Sequence, residues 1–301
     1  ADGTSVVWKL KQGVKWHDGR PFTADDVIFN WQYATNPETS AVTIGDYKDV
    51  KSIEKIDDHT VRLVFGRPTP LWFTPFVGGR GGIIPKHLFS DYIGAKSREA
   101  PNNLAPVGTG AYLFVDFKPG DMLTAKLNPD YHVPNRPHFD TLEIKGGGDA
   151  VSAARAVLQT GEFDYAWNLQ VEDEILVRLE TGGQGVVEIV PSGYLEFILL
   201  NATDPNVEVD GERASVKTKH PLFSDPAVRE AINLLIDRVS IQKFIYGRGG
   251  IATANCVNNP PRYRSPNTSF EFNVEKANAV LENAGWKKGP SGIREKDGKP
   301  L

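Results

Sequence analysis

Apolar and polar positions alternate near the start of the chain. Val6, Trp8 and Leu10 interleave with Val7, Lys9 and Lys11, and after Gln12-Gly13 the alternation resumes at Val14 and Trp16. A period of two is that of a half-buried strand, so the pattern predicts a hairpin. Asp18-Gly19 turns the chain, and the period then lengthens. Thr23 stands where a helix N-cap belongs, with Asp26 three residues on as its capping-box partner. Ala24, Val27, Ile28, Trp31 and Ala34 follow at helical spacing. Asp25 and Asp26 thereby fall at the positive end of a helix dipole. The stretch QGVKWHDGRPFTADDVIFNW admits two readings: a reactive centre of His17 and carboxylates, or punctuation that runs a hairpin into a helix. The capping pattern favours the second.

Further along, VKSIEKIDDHTVRLVF (50–65) predicts two strands about an Asp57-Asp58 turn. LWFTPFVGGRGGIIPKHLF is too rich in Gly and Pro for a regular element and too apolar for an idle loop. A polar, irregular stretch (90–105) leads to PVGTGAYLFVDF, a turn entering a strand, with DMLTAKLNPDY as its hairpin partner and TLEIK as a further strand. From Asp149, Val151, Ala154, Val157 and Leu158 share a helical face that ends at a C-cap glycine, Gly161. A polar helix is expected near 172–181, and one or two buried strands within GVVEIVPSGYLEFILLNAT. Asp225 caps a helix with Pro226 in its first position and Val228, Ala231, Ile232 and Leu235 on its apolar face. A second helix is expected from Ser240 to Gly247, and a last one from Asn273 to Ala284, ending at Gly285. Strands and helices alternate irregularly, which predicts a mixed-sheet α/β domain with a subdomain attached near the start. SVVWKLK reads as a mid-sheet strand and REKDGKPL as a turn with no element after it, so both ends read as cut and the chain as a fragment.

Composition narrows the function classes. The 301 residues are 40% apolar, enough for two domains, or one large one, with real cores. A net charge of -4, with Lys and Arg scattered, offers no electrostatic footprint for nucleic acid. Cys256 is the single cysteine, which excludes an internal disulfide and a metal site built on paired cysteines. No apolar run is long enough to span a membrane, and the first residues carry no leader pattern.

The strong catalytic signatures are missing: there is no HExxH, GxSxG, P-loop or EF-hand loop. GTGAYL (108–113) holds two glycines of a dinucleotide fingerprint, but a strand follows, so it reads as a structural turn. His17 and His87 lie beside turns and read as partly exposed structural histidines. Asp57-Asp58 and Glu172-Asp173-Glu174 have the residue types a glycosidase uses, but neighbouring carboxylates in a turn or first helical turn read as a solvated cap. Trp167 sits between Asp164 and Gln170 where a strand enters a helix, and Tyr194, Glu196 and Phe197 sit on a later strand. Aromatic faces mixed with amides suit a small-molecule cleft at sheet ends, and equally a packed core.

Several stretches in this order, LKQGVKWHDGRPFTADDVIFNW, IIPKHLF, PVGTGAY, LQTGEFD, LFSDPAVREAINLLIDRVSIQKFIYG and VEKANAVLENAGW, resemble one family. It is the extracellular solute-binding proteins of the dipeptide and oligopeptide type (family 5), which serve ABC importers. The resemblance spans nearly the whole chain. It implies an α/β, two-lobed class II periplasmic-binding-protein fold, represented mainly by lobe I with an inserted small subdomain. The small subdomain then covers 1–107, the main part of lobe I 108–252, and the hinge crossing with the start of lobe II 253–301.

The resemblance also implies a monomeric binder of peptides or peptide-like solutes, nickel complexes, opines or oligosaccharides. It would close its lobes over the solute and deliver it to a membrane permease. No catalytic residue, cofactor, metal or nucleic-acid partner belongs to this reading. The signal peptide would be removed and the protein periplasmic or otherwise extracytoplasmic, free or lipid-anchored. By position, Tyr194, Glu196, Phe197 and Asn201 look like the strand bordering the cleft. Thr253, Asn255 and Asn258 look like hinge or cleft residues in a crossing segment, and Trp167, Asn168 and Gln170 like the loop facing the solute from lobe I. In peptide-binding members, the groups that hold the ligand's two termini commonly come from lobe II, beyond this stretch. Two rivals stay open: a glycoside or peptide hydrolase using a carboxylate pair, and a solute-binding domain reused as a sensor.

Overall fold

The computed structural model describes residues 2–301, which divide after Gly147 into two units. In the first, β1 (Ser5–Lys9), β2 (Val50–Asp57) and β3 (Thr60–Phe65) form an antiparallel sheet in the order β1-β3-β2. The hairpin expected from Val6 to Trp16 does not form. β1 instead pairs along its whole length with β3, Trp8 opposite Val61, and Lys15 makes only an isolated bridge to Pro21. The reason lies in β3, whose Val61, Leu63 and Phe65 are buried in alternation and offer β1 a longer apolar partner than Val14 to Trp16 could. Among the described residues β1 is therefore an edge of its sheet rather than a mid-sheet strand.

The Asp57-Asp58 turn forms as expected, with His59 N–H donating to Asp57 Oδ1 at 2.7 Å. Its Asp58 carbonyl accepts from Ala24 N–H at 2.9 Å, which satisfies one of the free donors at the start of α1 (Ala24–Thr35). Both halves of the Thr23–Asp26 capping box are present. Ala24 and Val27 pack with Ile53, Val61, Leu63 and Phe65 into the first core. Phe29, on another side of α1, packs with Phe89 and Ala100. Residues 66–105 run through short 3-10 turns and one brief helix, α2 (Lys86–Phe89). β4 (Tyr112–Lys118), β5 (Met122–Leu127) and β6 (Thr141–Lys145) then form an antiparallel meander with a bulge between Phe114 and Asp116.

In the second unit, α3 (Ala150–Leu158) is N-capped by Asp149, and α4 (Asp173–Glu180) packs on it through Ala154, Leu158, Val171, Leu176 and Leu179. The C-cap of α3 is Gln159; Gly161 takes its left-handed φ of 66° two residues later, where the chain has already left the helix. β7 (Glu208–Val209) and β8 (Glu212–Arg213) flank a tight Asp210-Gly211 turn in which both residues have positive φ. α5 (Pro226–Leu235) begins with Asp225 and Pro226 as expected, but its buried face runs through Val228, Ala231 and Leu234. Leu235 is 47% exposed, because the three-residue step from Ala231, not the four-residue one, points at α7.

α6 (Arg238–Ile241) starts two residues before the expected Ser240, capped by Asp237, and widens into a π-turn over Gln242–Tyr246. α7 (Val274–Asn283) is capped by Asn273, and Gly285 follows at φ 90°. It packs on α5 through Ala277, Leu281 and Trp286. REKDGKPL does contain further elements: β10 (Arg294–Lys296) and β11 (Lys299–Pro300) pair antiparallel about Asp297-Gly298, and β10 also pairs antiparallel with the preceding β9 (Lys287–Lys288).

The largest departure lies between residues 185 and 203. The buried strands expected there are absent, and Val186, Tyr194, Phe197 and Leu199 are exposed. A strand forms only where a second edge accepts its ladder, and none does here. Every ladder among the described residues is consequently antiparallel, not the mixed sheet the alternation suggested.

Candidate functional site

The turn rich in chemistry, Trp16 to Asp26, resolves as a structural knot. Asp26, only 5% exposed, accepts from Thr23 N–H at 2.9 Å, Lys86 N–H at 3.0 Å and the Trp16 indole at 3.3 Å. His17 Nδ1 accepts from Gly108 N–H at 3.2 Å, which leaves Nε2 to donate to the Gly110 carbonyl at 3.0 Å. Asn128 Nδ2 donates to that same carbonyl at 3.0 Å, so the GTG turn is clamped from two sides before β4 begins.

His87 Nε2 meets Asp18 Oδ2 at 2.5 Å. Burial pushes the Asp18 carboxyl up, but hydrogen bonds from His87 and the Arg20 amide, with nearby charge, outweigh it and hold the group below its ordinary range. Each of these groups is taken up in tying two segments together. In the remaining carboxylate groups, Asp58 and Asp173 are likewise engaged. Lys55 bridges Asp25 and Asp58 at 2.8 and 2.7 Å, and Asp173 pairs with Arg248 at 2.9 Å. Among the described residues no cluster of His, Cys, Asp and Glu is disposed to hold a metal ion, and no helix is long and apolar enough to cross a membrane.

The ten residues singled out for a cleft all fall in the second unit, on three irregular segments. Trp167, Asn168 and Gln170 lie in the α3–α4 connection, which no strand precedes. Asn168 takes φ 55°, a conformation Asn tolerates better than most residues. On one side of it Leu169 packs into the α3–α4 core, while on the other Trp167 stands 73% exposed.

Tyr194, Glu196, Phe197 and Asn201 lie on the unpaired stretch. Asn201 Oδ1 accepts from Thr203 N–H and Oγ1, which closes an Asx turn at its end. Glu196 lies close enough to Tyr246 that its charge, after burial as the larger cause, helps raise the Tyr246 hydroxyl above its ordinary pKa. Thr253, Asn255 and Asn258 are half-buried. Thr253 Oγ1 accepts from Asn255 N–H at 3.1 Å, and Asn255 Oδ1 from Ser265 N–H at 2.6 Å. The Asn258 carbonyl accepts from Arg264 Nε at 2.8 Å, while its side-chain Oδ1 is buried with no donor among the described residues.

The second and third segments are tied together by Asn259 Nδ2, which donates to the Pro191 carbonyl at 3.1 Å. Sequence reasoning passed over Asn259 and Tyr246, whose place beside these segments depends on contacts far apart in the chain. Their only local signals were an Asn before proline and an aromatic closing a helix.

Two solved structures share this fold along essentially the entire chain. The chain is similar to NikZ of Campylobacter jejuni in complex with Ni(L-His), with a TM-score of 0.78 and 25% identity over 100% of this chain and 55% of that one. It is equally similar to the oligopeptide-binding protein AppA of Bacillus subtilis in complex with a nonapeptide: TM-score 0.78, 28% identity, 99% of this chain and 56% of that one. The architecture is thus that of the periplasmic solute-binding proteins. The family model described as bacterial extracellular solute-binding proteins, family 5 Middle, matches residues 1–301, and the chain belongs to that family. In sequence, the Bacillus subtilis AppA chain is 29% identical over 303 residues, which cover 99% of this chain and 52% of AppA. The chain spans about half the length of the curated relatives it matches.

Proposed function

We propose that the protein containing this chain is the extracytoplasmic substrate-binding component of an ABC importer. It captures peptides or peptide-like solutes by closing two lobes and hands them to a membrane permease. The observation that carries the reading is the family match over residues 1–301, joined to the likeness to a structure that holds a nonapeptide. The protein acts as a monomer outside the cytoplasm, free or lipid-anchored, and performs no chemistry on its cargo. Residues 1–107 form the small subdomain of lobe I, 108–252 its main part, and 253–301 the crossing into lobe II.

The solute is met by Trp167, Asn168 and Gln170 from one loop, by Tyr194, Glu196, Phe197 and Asn201, and by Thr253, Asn255 and Asn258. Exposed aromatic faces on Trp167, Tyr194 and Phe197, together with the unpaired Asn258 Oδ1 acceptor, are what a site for an amide-bearing, partly apolar solute uses. Affinity arises from closure, because a solute enclosed between lobes biases a two-state hinge toward its closed form. Residues 1–301 alone, which supply one wall, bind more weakly than the complete protein.

The hydrolase and sensor alternatives have no comparable support, and Asp25, Asp26, Asp58 and Asp173 are engaged in caps and ion pairs. The test is a thermal-shift screen of the complete protein against dipeptides, longer peptides, opines, nickel-histidine and oligosaccharides. A solute at about 100 times its Kd adds roughly 2.7 kcal/mol and moves the midpoint by several degrees. A shift from peptides that vanishes in Trp167→Ala or Tyr194→Ala supports the reading. A panel with no shift, or mass spectra showing cleaved peptide, overturns it.

A further inference from the structure

Three segments carry the candidate solute residues, and Arg248, outside that set, touches the supports of all of them. It follows Gly247, whose φ of 50° and ψ of -134° suit glycine alone. A Cβ at Gly247 would lie 2.8 Å from Asp173 Cβ, and one at Gly250 2.5 Å from Tyr246 Cβ. Two glycines thus let the chain after α6 press against the start of α4, and Gln242 Nε2 fixes the turn by donating to the Gly247 carbonyl at 2.6 Å. From there the Arg248 guanidinium reaches both ends of α4. Nε pairs with Asp173 Oδ1 at 2.9 Å in the first turn, and Nη2 donates to Glu180 Oε2 at 2.5 Å in the last.

Each carboxylate leads to a different candidate segment. Asp173 opens α4 two residues after Val171, which is buried in the α3–α4 core at the foot of the Trp167 loop. Glu180 uses its other oxygen, Oε1, to accept from Val187 N–H at 3.0 Å, at the entry to the stretch holding Tyr194 to Asn201. The bonds from Arg248 and the Val187 amide hold the Glu180 carboxyl below its ordinary range. Arg248 itself leads into the segment with Thr253, Asn255 and Asn258, whose far end is tied by Asn259 to the Pro191 carbonyl. The second and third segments are therefore joined at two points, Arg248–Glu180 and Asn259–Pro191.

We propose that Arg248 is a positioning residue: it fixes the 187–201 stretch and the 250–258 segment against α4, at the foot of the Trp167 loop, before a solute arrives. Overall stability is a weak account of it. The Arg248, Asp173 and Glu180 side chains are 37, 42 and 27% exposed, and ion pairs so exposed add little to the folded state as a whole. Fixing position suits the chemistry better, because a guanidinium presents its donors in one rigid plane to two carboxylates at once, whereas a lysine offers a point charge on a flexible stem. This role rests on the reading of these segments as the solute's wall, and such preorganisation raises affinity by removing an ordering cost from binding.

The test compares the complete protein with Arg248→Met, which removes the charge but keeps an unbranched side chain, and with Arg248→Lys, which keeps the charge. Amide exchange without solute is read by mass spectrometry over 185–192 and 250–259, with α5 and the thermal midpoint as controls. In Arg248→Met, exchange is expected to be faster by about 10-fold in both peptides and unchanged in α5, with the midpoint within about 2 °C of the parent and Arg248→Lys in between. Unchanged exchange in either peptide overturns the proposal. Faster exchange that includes α5, with a lowered midpoint, also overturns it, since the residue then stabilises the unit rather than placing its segments. Calorimetric titration with a mixed nonapeptide library is the second readout. A Kd about 10-fold weaker in Arg248→Met, partly recovered in Arg248→Lys, supports the role, and loosened segments with an unchanged Kd overturn it. A parent that binds nothing in the library counts against peptide capture instead, and the exchange result by itself then decides whether Arg248 places the segments.

Discussion

Replacing Asp26 with alanine removes one acceptor from three donors at once: the Thr23 amide, the Lys86 amide and the Trp16 indole. The site is enclosed, with Asp26 5% and Trp16 3% exposed, so water cannot readily replace the lost carboxylate. A hydrogen bond to a charged group contributes about 1.5–3 kcal/mol. Three that share one acceptor are not additive, and a combined loss of roughly 3–5 kcal/mol is expected for Asp26→Ala. For a unit of this size, that lowers the unfolding midpoint by roughly 6–15 °C.

Circular dichroism melts and guanidinium titrations of Asp26→Ala, Asp26→Asn and Asp25→Ala measure the effect. Asparagine keeps one acceptor but turns an amide group toward donors, so it recovers only part of the loss. Asp25, exposed and paired with Lys55, is the neighbouring control, and its alanine variant stays within roughly 2 °C of the parent. A midpoint for Asp26→Ala within about 1 kcal/mol of the parent, or an equal loss for Asp25→Ala, would falsify the assignment of these carboxylates to structure.

Three further outcomes are expected. Burial raises the Asp225 carboxyl, but hydrogen bonds from the Trp286 indole at 3.0 Å and the Ala227 amide, with Lys296, outweigh it and leave the group below its ordinary range. Its contribution to stability is complete above the unfolded-state pKa and is lost as pH falls through the lower folded value. Guanidinium midpoints taken across acid pH should therefore drop less steeply in Asp225→Asn than in the parent, and an unchanged acid slope refutes the linkage. His17→Leu unpairs the Gly108 amide and removes one of the two donors to the Gly110 carbonyl, costing about 1–2 kcal/mol, with faster exchange at residues 108–110 but not in α5; unchanged exchange there excludes the clamp. Leu63→Ala empties the fully buried centre of the first core and destabilises by about 2–5 kcal/mol in denaturant titration, whereas Leu235→Ala, at an exposed position, stays near the parent.

Much of the local structure was legible in the chain because it rests on neighbours in sequence. The Thr23–Asp26 box, the Asp225-Pro226 start, the Asp57-Asp58 turn and the β4–β5 hairpin each need only a few consecutive residues with the right side chains. The family was legible too, since its signals are an ordered set of such local stretches spread over the whole chain. The candidate cleft was legible only as residue types. Trp167 and Tyr194 could be chosen as aromatics near amides, but nothing local told that both stand exposed or that Asn259 reaches back to Pro191.

What the sequence by itself determined was where α1, α3, α5 and α7 begin, most of the residues on their buried faces, and that His17 and the aspartates sit at a turn entering a helix. Tertiary structure alone decided which edge each strand takes. β1 pairs with β3 rather than with the residues that follow it, and the mostly apolar stretch at 194–201 joins no strand ladder among the described residues. The physical reason is that a helix satisfies its backbone from within four residues, so its signal is local. A strand's hydrogen bonds belong to another segment, and the pattern that marks a strand as buried does not say what buries it.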